Sequence, residues 1–344
     1  MKFDKSKIHK ILVIKPSAIG DVVLSTPVIE NLRYNFPDAE IYFLTQKYCA
    51  EVLKENPFLN RVLTYDLSLD SGYCIIRNIR KQKYDLIIDL FGNPRTALIT
   101  FLSRARARVG YKFRMRSYAY NIKVIPRGGE VHNIEFNLDS LRRLGLEVTT
   151  RQPHFYINSV HEEFANDFFL KSGLGDHPVI GINPGGTWQT KVWYPEKYIE
   201  LIKKLKETYK ILLFWGYEDE RKEATKIQQA TGEDVCLIPP ADLKYMGALI
   251  KKCVLFLTND TGPMHIACAF GVNTAAIFGP TNSKLQGPFS SNSIVIKNES
   301  LSCLGCNLTR IEDCKFKHKC MRELSVDYVY DKLMKFLEKM NIRN

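Results

Sequence analysis

No apolar run in this chain reaches the roughly 18 residues that a membrane-spanning helix needs. The basic start, MKFDKSKIHK, leads into a short apolar strand with no small-residue cleavage site, so no signal peptide is read. Together these absences point to a cytoplasmic protein. There is no tandem repeat and no low-complexity tract, which excludes a repeat array. The GxxxxGK[ST] spacing of a P-loop is also missing. Acidic residues are in deficit, 37 Asp and Glu against 49 Lys and Arg, for a net charge of +12. That surplus admits nucleic acid, an anionic membrane surface or phosphorylated substrates, and does not choose among them.

What is present is alternation. At 344 residues the chain suggests two domains of ordinary size. Residues 8–15 form an apolar, non-alternating run, the pattern of a central parallel strand. They lead into Pro16–Asp21 and a helix over 22–35. Strands follow at 40–45, 62–65 and 84–89, with helices over 49–55, 74–83 and 95–103, and a short edge strand at 108–111. Residues 152–159 read as a linker. From 179 onward a second strand–helix series repeats the layout, with strands at 179–183, 210–214, 235–237, 253–257 and 274–278. Alternation of this kind argues parallel sheets with helices on both faces.

The chemistry-bearing residues cluster at strand ends. Asp21 stands at a helix start, where it is either a carboxylate favouring the dipole or a general base. Three turns of the second half follow strands. The first is Gly185-Gly186-Thr187 with Lys191, suited to backbone approach by a phosphate. The second holds Glu218, Asp219 and Glu220, either helix-start acids or ribose contacts. The third is Asp260-Thr261-Gly262, either an ordinary capped helix or an anion site at a helix N-terminus. His265, one turn further, is either core or a donor contact. Residues 104–127 are strongly basic with interleaved aromatics, including Arg108, Lys112 and Arg114. They are either a solvated loop or a surface for a phosphorylated or lipid-anchored acceptor. His132 lies in the next helix, read over 130–144, as a surface histidine or an acceptor contact.

The stretches KPSAIGDVVLSTPVIENLR, YDLIIDLFGNPRTALITFLSRARARVGY, NPGG with its following lysine, and TNDTGPMHIACAFGVNTAAIFGPT resemble glycosyltransferase family 9, the ADP-heptose:lipopolysaccharide heptosyltransferases and their relatives. The resemblance runs from about Ile11 to Pro288. It implies a GT-B fold, two Rossmann-like α/β domains with parallel sheets facing a central cleft. The acceptor-binding domain would span 1–158 and the nucleotide-sugar domain 159–324, with a C-terminal helix over 325–344 packing back on the first domain. It also implies inverting, metal-independent transfer of heptose from ADP-heptose to the inner core of a lipid A–core acceptor. Asp21 would be the general base. Thr187, Lys191, Glu220 (with Glu218 as its alternative), Asp260, Thr261 and Gly262 would bind the donor, and Arg108, Lys112, Arg114 and His132 the acceptor. Peripheral contact with the cytoplasmic face of the inner membrane follows from such an acceptor, and nucleic acid is not an expected partner.

Four of the nine cysteines, Cys303, Cys306, Cys314 and Cys320, gather near the C-terminus with His318 beside them. They read as a structural metal clamp, zinc first, away from the chemistry. A disulfide pair and free thiols are the other readings. Two other classes compete with the transferase. A different GT-B sugar-nucleotide enzyme, such as an epimerase, would need further acid–base residues near the donor sugar. A basic nucleic-acid-binding protein would leave the donor-like turns unexplained.

Overall fold

The computed structural model describes residues 4–66, 72–175 and 177–342. The chain divides into two compact units, Met1–Tyr156 and Ile157–Asn344, two residues before the boundary expected in the linker. The described residues form one six-stranded sheet in each unit, and every strand pair is parallel.

In the first unit the strands are β1 (Lys10–Ile14), β2 (Glu40–Thr45), β3 (Arg61–Thr64), β4 (Leu86–Asp89), β5 (Ala107–Tyr111) and β6 (Ile122–Val124), in the order β3-β2-β1-β4-β5-β6. In the second they are β7 (Val179–Asn183), β8 (Lys210–Leu213), β9 (Cys236–Leu237), β10 (Leu255–Asn259), β11 (Asn273–Ile277) and β12 (Ser293–Ile296), in the order β12-β11-β10-β7-β8-β9. Renumbered from its own first strand, the second sheet has the same 3-2-1-4-5-6 order as the first. Each is therefore a Rossmann-type sheet. Its switch point lies between β1 and β4 in one unit and between β7 and β10 in the other.

The central strands are where apolar runs predict them. Ile11, Leu12, Val13 and Ile14 are fully buried, as are Leu86, Ile87 and Ile88 beside them. The edges differ from expectation. The strand at 107–111 is internal, because β6 pairs outside it. With three residues, β6 carries too little pattern to be read from the basic stretch that contains it. The single helix expected over 22–35 is two, Ile19–Val23 and Thr26–Asn35. Pro27 lacks an N–H, and the Ser25 and Thr26 hydroxyls donate to the carbonyls of Val22 and Val23 instead.

The C-terminal helix belongs to the second unit. Val326–Lys339 buries Val326, Val329, Leu333, Phe336 and Leu337 in the core of the second unit, with Trp193, Tyr198, Leu201 and Ile277. It packs on the helix Pro195–Leu205 and on β12. Five such side chains leaving water contribute on the order of 10 kcal/mol before entropy is counted. Lys204 pairs with Asp327 at the rim of this contact. The helical spacing showed an apolar face. It could not show which core would receive it.

Candidate active site

The β7–β10 switch point is held together by asparagines. Asn259 is the last residue of β10 and is completely buried. Its amide nitrogen donates to the carbonyls of Pro184 and Gly185, at 2.9 and 3.0 Å. Its oxygen accepts from the Trp193 N–H at 3.3 Å and the Tyr198 hydroxyl at 3.0 Å. One side chain thus ties the glycine turn after β7 to the loop that carries Lys191. Asn183, the last residue of β7, donates to the hydroxyls of Thr258 and Thr261 at 3.5 and 3.2 Å. Neither asparagine was singled out from the sequence. The available signal was a polar residue closing an otherwise apolar strand at the sheet's carboxyl edge.

The helix Gly262–Ala269 begins at this point. Thr261 is its N-cap, yet makes no side-chain capping bond. Its hydroxyl is engaged by Asn183 and by Thr258, the latter at 3.0 Å. Pro263 in the first turn needs no partner for an N–H. The helix thus starts without a side-chain cap and with its positive dipole end at the loop. The Lys191 ammonium lies 2.8 Å from the Asp260 carboxylate, with both side chains largely buried, and 4.3 Å from the centre of the Trp188 ring. Lysine has three donors, so it can hold Asp260 and still bind a phosphate oxygen. His265 is buried within the helix.

Glu220 joins the same site. Its carboxylate accepts from the N–H of Gly216 at 2.7 Å and of Tyr217 at 3.3 Å, capping the helix Glu218–Thr231. A Cβ on Gly185 would stand 2.5 Å from the Glu220 carboxyl carbon, so a side chain there would push Glu220 aside. Glu218 is exposed and paired with Arg221, which favours Glu220 of the two. Gly186 faces Val192 and Thr261, and Thr187 is exposed on the loop. Lys191, Glu220, Asp260, Thr261 and Gly262 therefore converge around the loop of Gly185 and Gly186. A cavity of about 320 Å³ opens beside them, lined by Gly185, Gly186, Trp193, Tyr198, Glu220 and His318 among others.

The first unit presents a different chemistry at its own switch point. Ser17 donates to the Asp21 carboxylate at 2.5 Å. Asp89 ends β4, next to β1, and is buried. It accepts from the N–H groups of Phe91 and Gly92, at 3.1 and 2.8 Å, and from the Tyr120 hydroxyl at 2.7 Å. Burial pushes the Asp89 carboxyl above its ordinary value, and these hydrogen bonds pull it back. Lys15 donates to the Leu90 carbonyl at 3.3 Å. Burial lowers the Lys15 ammonium below its ordinary value, while the Asp21 and Asp89 carboxylates raise it. Asp89 is not legible in the sequence, because only the β1–β4 pairing brings it to this end of the sheet, whereas Lys15 opens the same turn as Asp21 and carries no motif of its own.

The acceptor candidates have mixed fates. The Arg108 guanidinium donates to the carbonyls of Ala105 and Ala119, at 2.8 and 3.0 Å, and so fastens the strap between β5 and β6. His132 caps the helix Asn133–Arg143, its Nδ1 accepting from the Ile134 N–H at 3.2 Å. Lys112 and Arg114 are exposed.

The late cysteines are free thiols. Among the described residues, no group of three or more His, Cys, Asp or Glu is arranged to hold a metal ion. The thiols of Cys303, Cys306, Cys314 and Cys320 are neighbours all the same. Burial first, then the charges of the other three, pushes the Cys320 thiol up to about 11. The segment acts as a strap on the Lys191 loop. His318 Nε2 lies 2.7 Å from the Thr190 carbonyl, so it donates there, and Nδ1 accepts from the Tyr194 hydroxyl at 3.2 Å. The Thr190 hydroxyl donates to the Leu308 carbonyl at 2.7 Å.

Comparison with known proteins places these features. The family model for glycosyltransferase family 9 (heptosyltransferase) matches residues 73–317. Lipopolysaccharide heptosyltransferase 3 of Escherichia coli K12 is 28% identical over 301 residues, covering 80% of this chain and 84% of that protein. Among solved structures, a family 9 glycosyltransferase from Veillonella parvula superposes with a TM-score of 0.85 at 23% identity, covering 98% of this chain and 99% of that one. E. coli ADP-heptose LPS heptosyltransferase II superposes with a TM-score of 0.76 at 22% identity, covering 96% and 99%. The fold shared with these structures is GT-B.

Proposed function

The chain belongs to glycosyltransferase family 9, and on that premise we propose that it moves a heptose from ADP-heptose to an inner-core sugar of a lipid A–core acceptor in lipopolysaccharide assembly. The observation that carries the donor half is the buried Lys191–Asp260 pair at the uncapped start of the helix Gly262–Ala269. A preorganised cation and a helix N-terminus at one point suit a diphosphate that gains charge as it leaves. The names of the similar proteins support heptose as the sugar and lipopolysaccharide as the acceptor.

In this reading Asp21 takes the proton from the acceptor hydroxyl. The oxygen attacks the anomeric carbon from the face opposite the phosphate, which inverts that centre. The bond from carbon to phosphate oxygen breaks, and ADP leaves with the electron pair. Lys191 and the N–H groups of the helix start stabilise the departing diphosphate, so the step needs no metal ion. Thr187 adds a hydroxyl to the phosphates, and Glu220 accepts from the ribose hydroxyls with its remaining lone pairs. Ser17 orients the Asp21 carboxylate. The membrane-anchored acceptor puts the reaction at the cytoplasmic face of the inner membrane.

The test is Asp21→Asn, with transfer followed by ADP release in the presence of acceptor and chelator. General-base catalysis is worth about 10²–10⁴-fold, so transfer falls by at least that lower figure while ADP-heptose affinity, measured by calorimetry, is unchanged. Turnover within a few fold of the parent chain sinks the assignment of the base.

A further inference from the structure

The basic stretch noticed in the sequence is not absorbed by the donor site or by the chemistry at Asp21. Between Leu90 and Gly129 there is no Asp or Glu, and there are seven Arg and two Lys. Within this acid-free stretch the structure exposes large apolar side chains. Leu98 and Phe101, three apart on the helix Pro94–Leu102, are 43% and 44% exposed. Tyr118 is 55% exposed, and its ring meets that of Phe101 edge-on at 5.6 Å. Met115, on the same strap, is 86% exposed. Arg104, Lys112 and Arg114 are exposed on the segments that flank these side chains. Large apolar side chains left exposed among cations in one acid-free stretch mark an interaction surface.

We infer that this face of the first unit, with Leu98, Phe101, Met115 and Tyr118 at its centre, docks on an anionic phospholipid bilayer. The chemistry fits one occupant. Apolar tips enter the boundary between headgroups and acyl chains, while the flanking Arg and Lys meet phosphates in the headgroup plane. A single-stranded nucleic acid would use aromatic faces for stacking. Here two of the four central side chains are aliphatic or thioether, and the two rings are set edge against face. The inference deepens the proposed function, since it rests on an acceptor that is itself lipid-anchored. It adds which surface meets the membrane and that binding needs negative lipid.

The experiment is flotation of the full chain with vesicles of phosphatidylcholine and phosphatidylglycerol in equal parts, against vesicles of phosphatidylcholine alone. The parent chain floats only with the anionic vesicles, and added salt weakens this binding. The double substitution Phe101→Asp, Met115→Asp reduces the bound fraction at least tenfold. Both sites are exposed, and circular dichroism checks that the variant folds. Failure to float, equal flotation with both vesicles, or a variant that floats like the parent overturns the inference. So does tight binding of single-stranded RNA that the double substitution leaves unchanged. The same variant, assayed with a deacylated, water-soluble acceptor, transfers at the parent rate. Absence of transfer by both chains would fault the proposed reaction and leave the vesicle result standing.

Discussion

Asn259→Ala is the most informative single perturbation of the second unit. The native side chain makes four hydrogen bonds at zero exposure, two to backbone carbonyls, one to the Trp193 N–H and one to the Tyr198 hydroxyl. Each is worth about 1 kcal/mol net, and a buried group left without a partner costs about 1–3 kcal/mol. Some partners will reach water once the side chain is gone. The expected loss is therefore about 3–5 kcal/mol. Urea denaturation followed by tryptophan fluorescence reads it directly, because Trp188, Trp193 and Trp215 all belong to the second unit. Tyr198→Phe removes one partner cleanly and should cost about 1 kcal/mol, and the double variant should cost less than the sum. Because the same side chain fixes the glycine turn, the donor KM should rise about tenfold, equivalent to ~1.4 kcal/mol. Asn259→Asp adds a pH signature. It sets a carboxyl oxygen where the amide now meets two carbonyl oxygens at 2.9 and 3.0 Å. The folded state then favours the protonated acid, so the folded pKa is raised. The variant is most stable at low pH and loses stability as pH rises through that raised value. A loss below about 1 kcal/mol for Asn259→Ala, with unchanged KM, would refute the claim that this residue organises the site.

Three further outcomes follow from the same geometry. Lys191→Ala should lower kcat by about 10²-fold or more, as expected for removal of a preorganised charge at the leaving group; a pure KM effect in steady-state kinetics would mean that the lysine only binds. Gly185→Ala should weaken ADP binding in calorimetry without unfolding the chain, because the new methyl would stand 2.5 Å from the Glu220 carboxyl carbon and displace it from the Gly216 N–H. Leu333→Ala, in the buried face of the last helix, should cost about 2–5 kcal/mol, again read by tryptophan fluorescence; a fluorescence transition unchanged from the parent would place that helix elsewhere.

Much of this protein can be read along the chain. Strand–helix alternation marks two parallel α/β units, since strands buried on both faces must be continuously apolar. The turns at Asp21, Gly185–Thr187, Glu220 and Asp260–Gly262 stand at strand ends, where glycines, acids and an N1 proline suit a ligand as well as a helix start. Periodicity in Val326–Lys339 shows a buried face. What each of these meets is not periodic information. Residues 78 and 74 positions apart on the chain, Thr261 and Gly185 against Asn183 and Asn259, are joined only because β10 lies beside β7. Asp89 reaches the neighbourhood of Asp21 only because β4 lies beside β1. The strap from Leu301 to Met321 reads as a metal clamp from its thiols, yet its visible work is done by His318 on the Thr190 carbonyl. Burial pattern and turn chemistry are local, so the chain alone marks its strands and the glycines and acids at their ends. Which of those ends lie together depends on strand order, and strand order is a property of the assembled sheet.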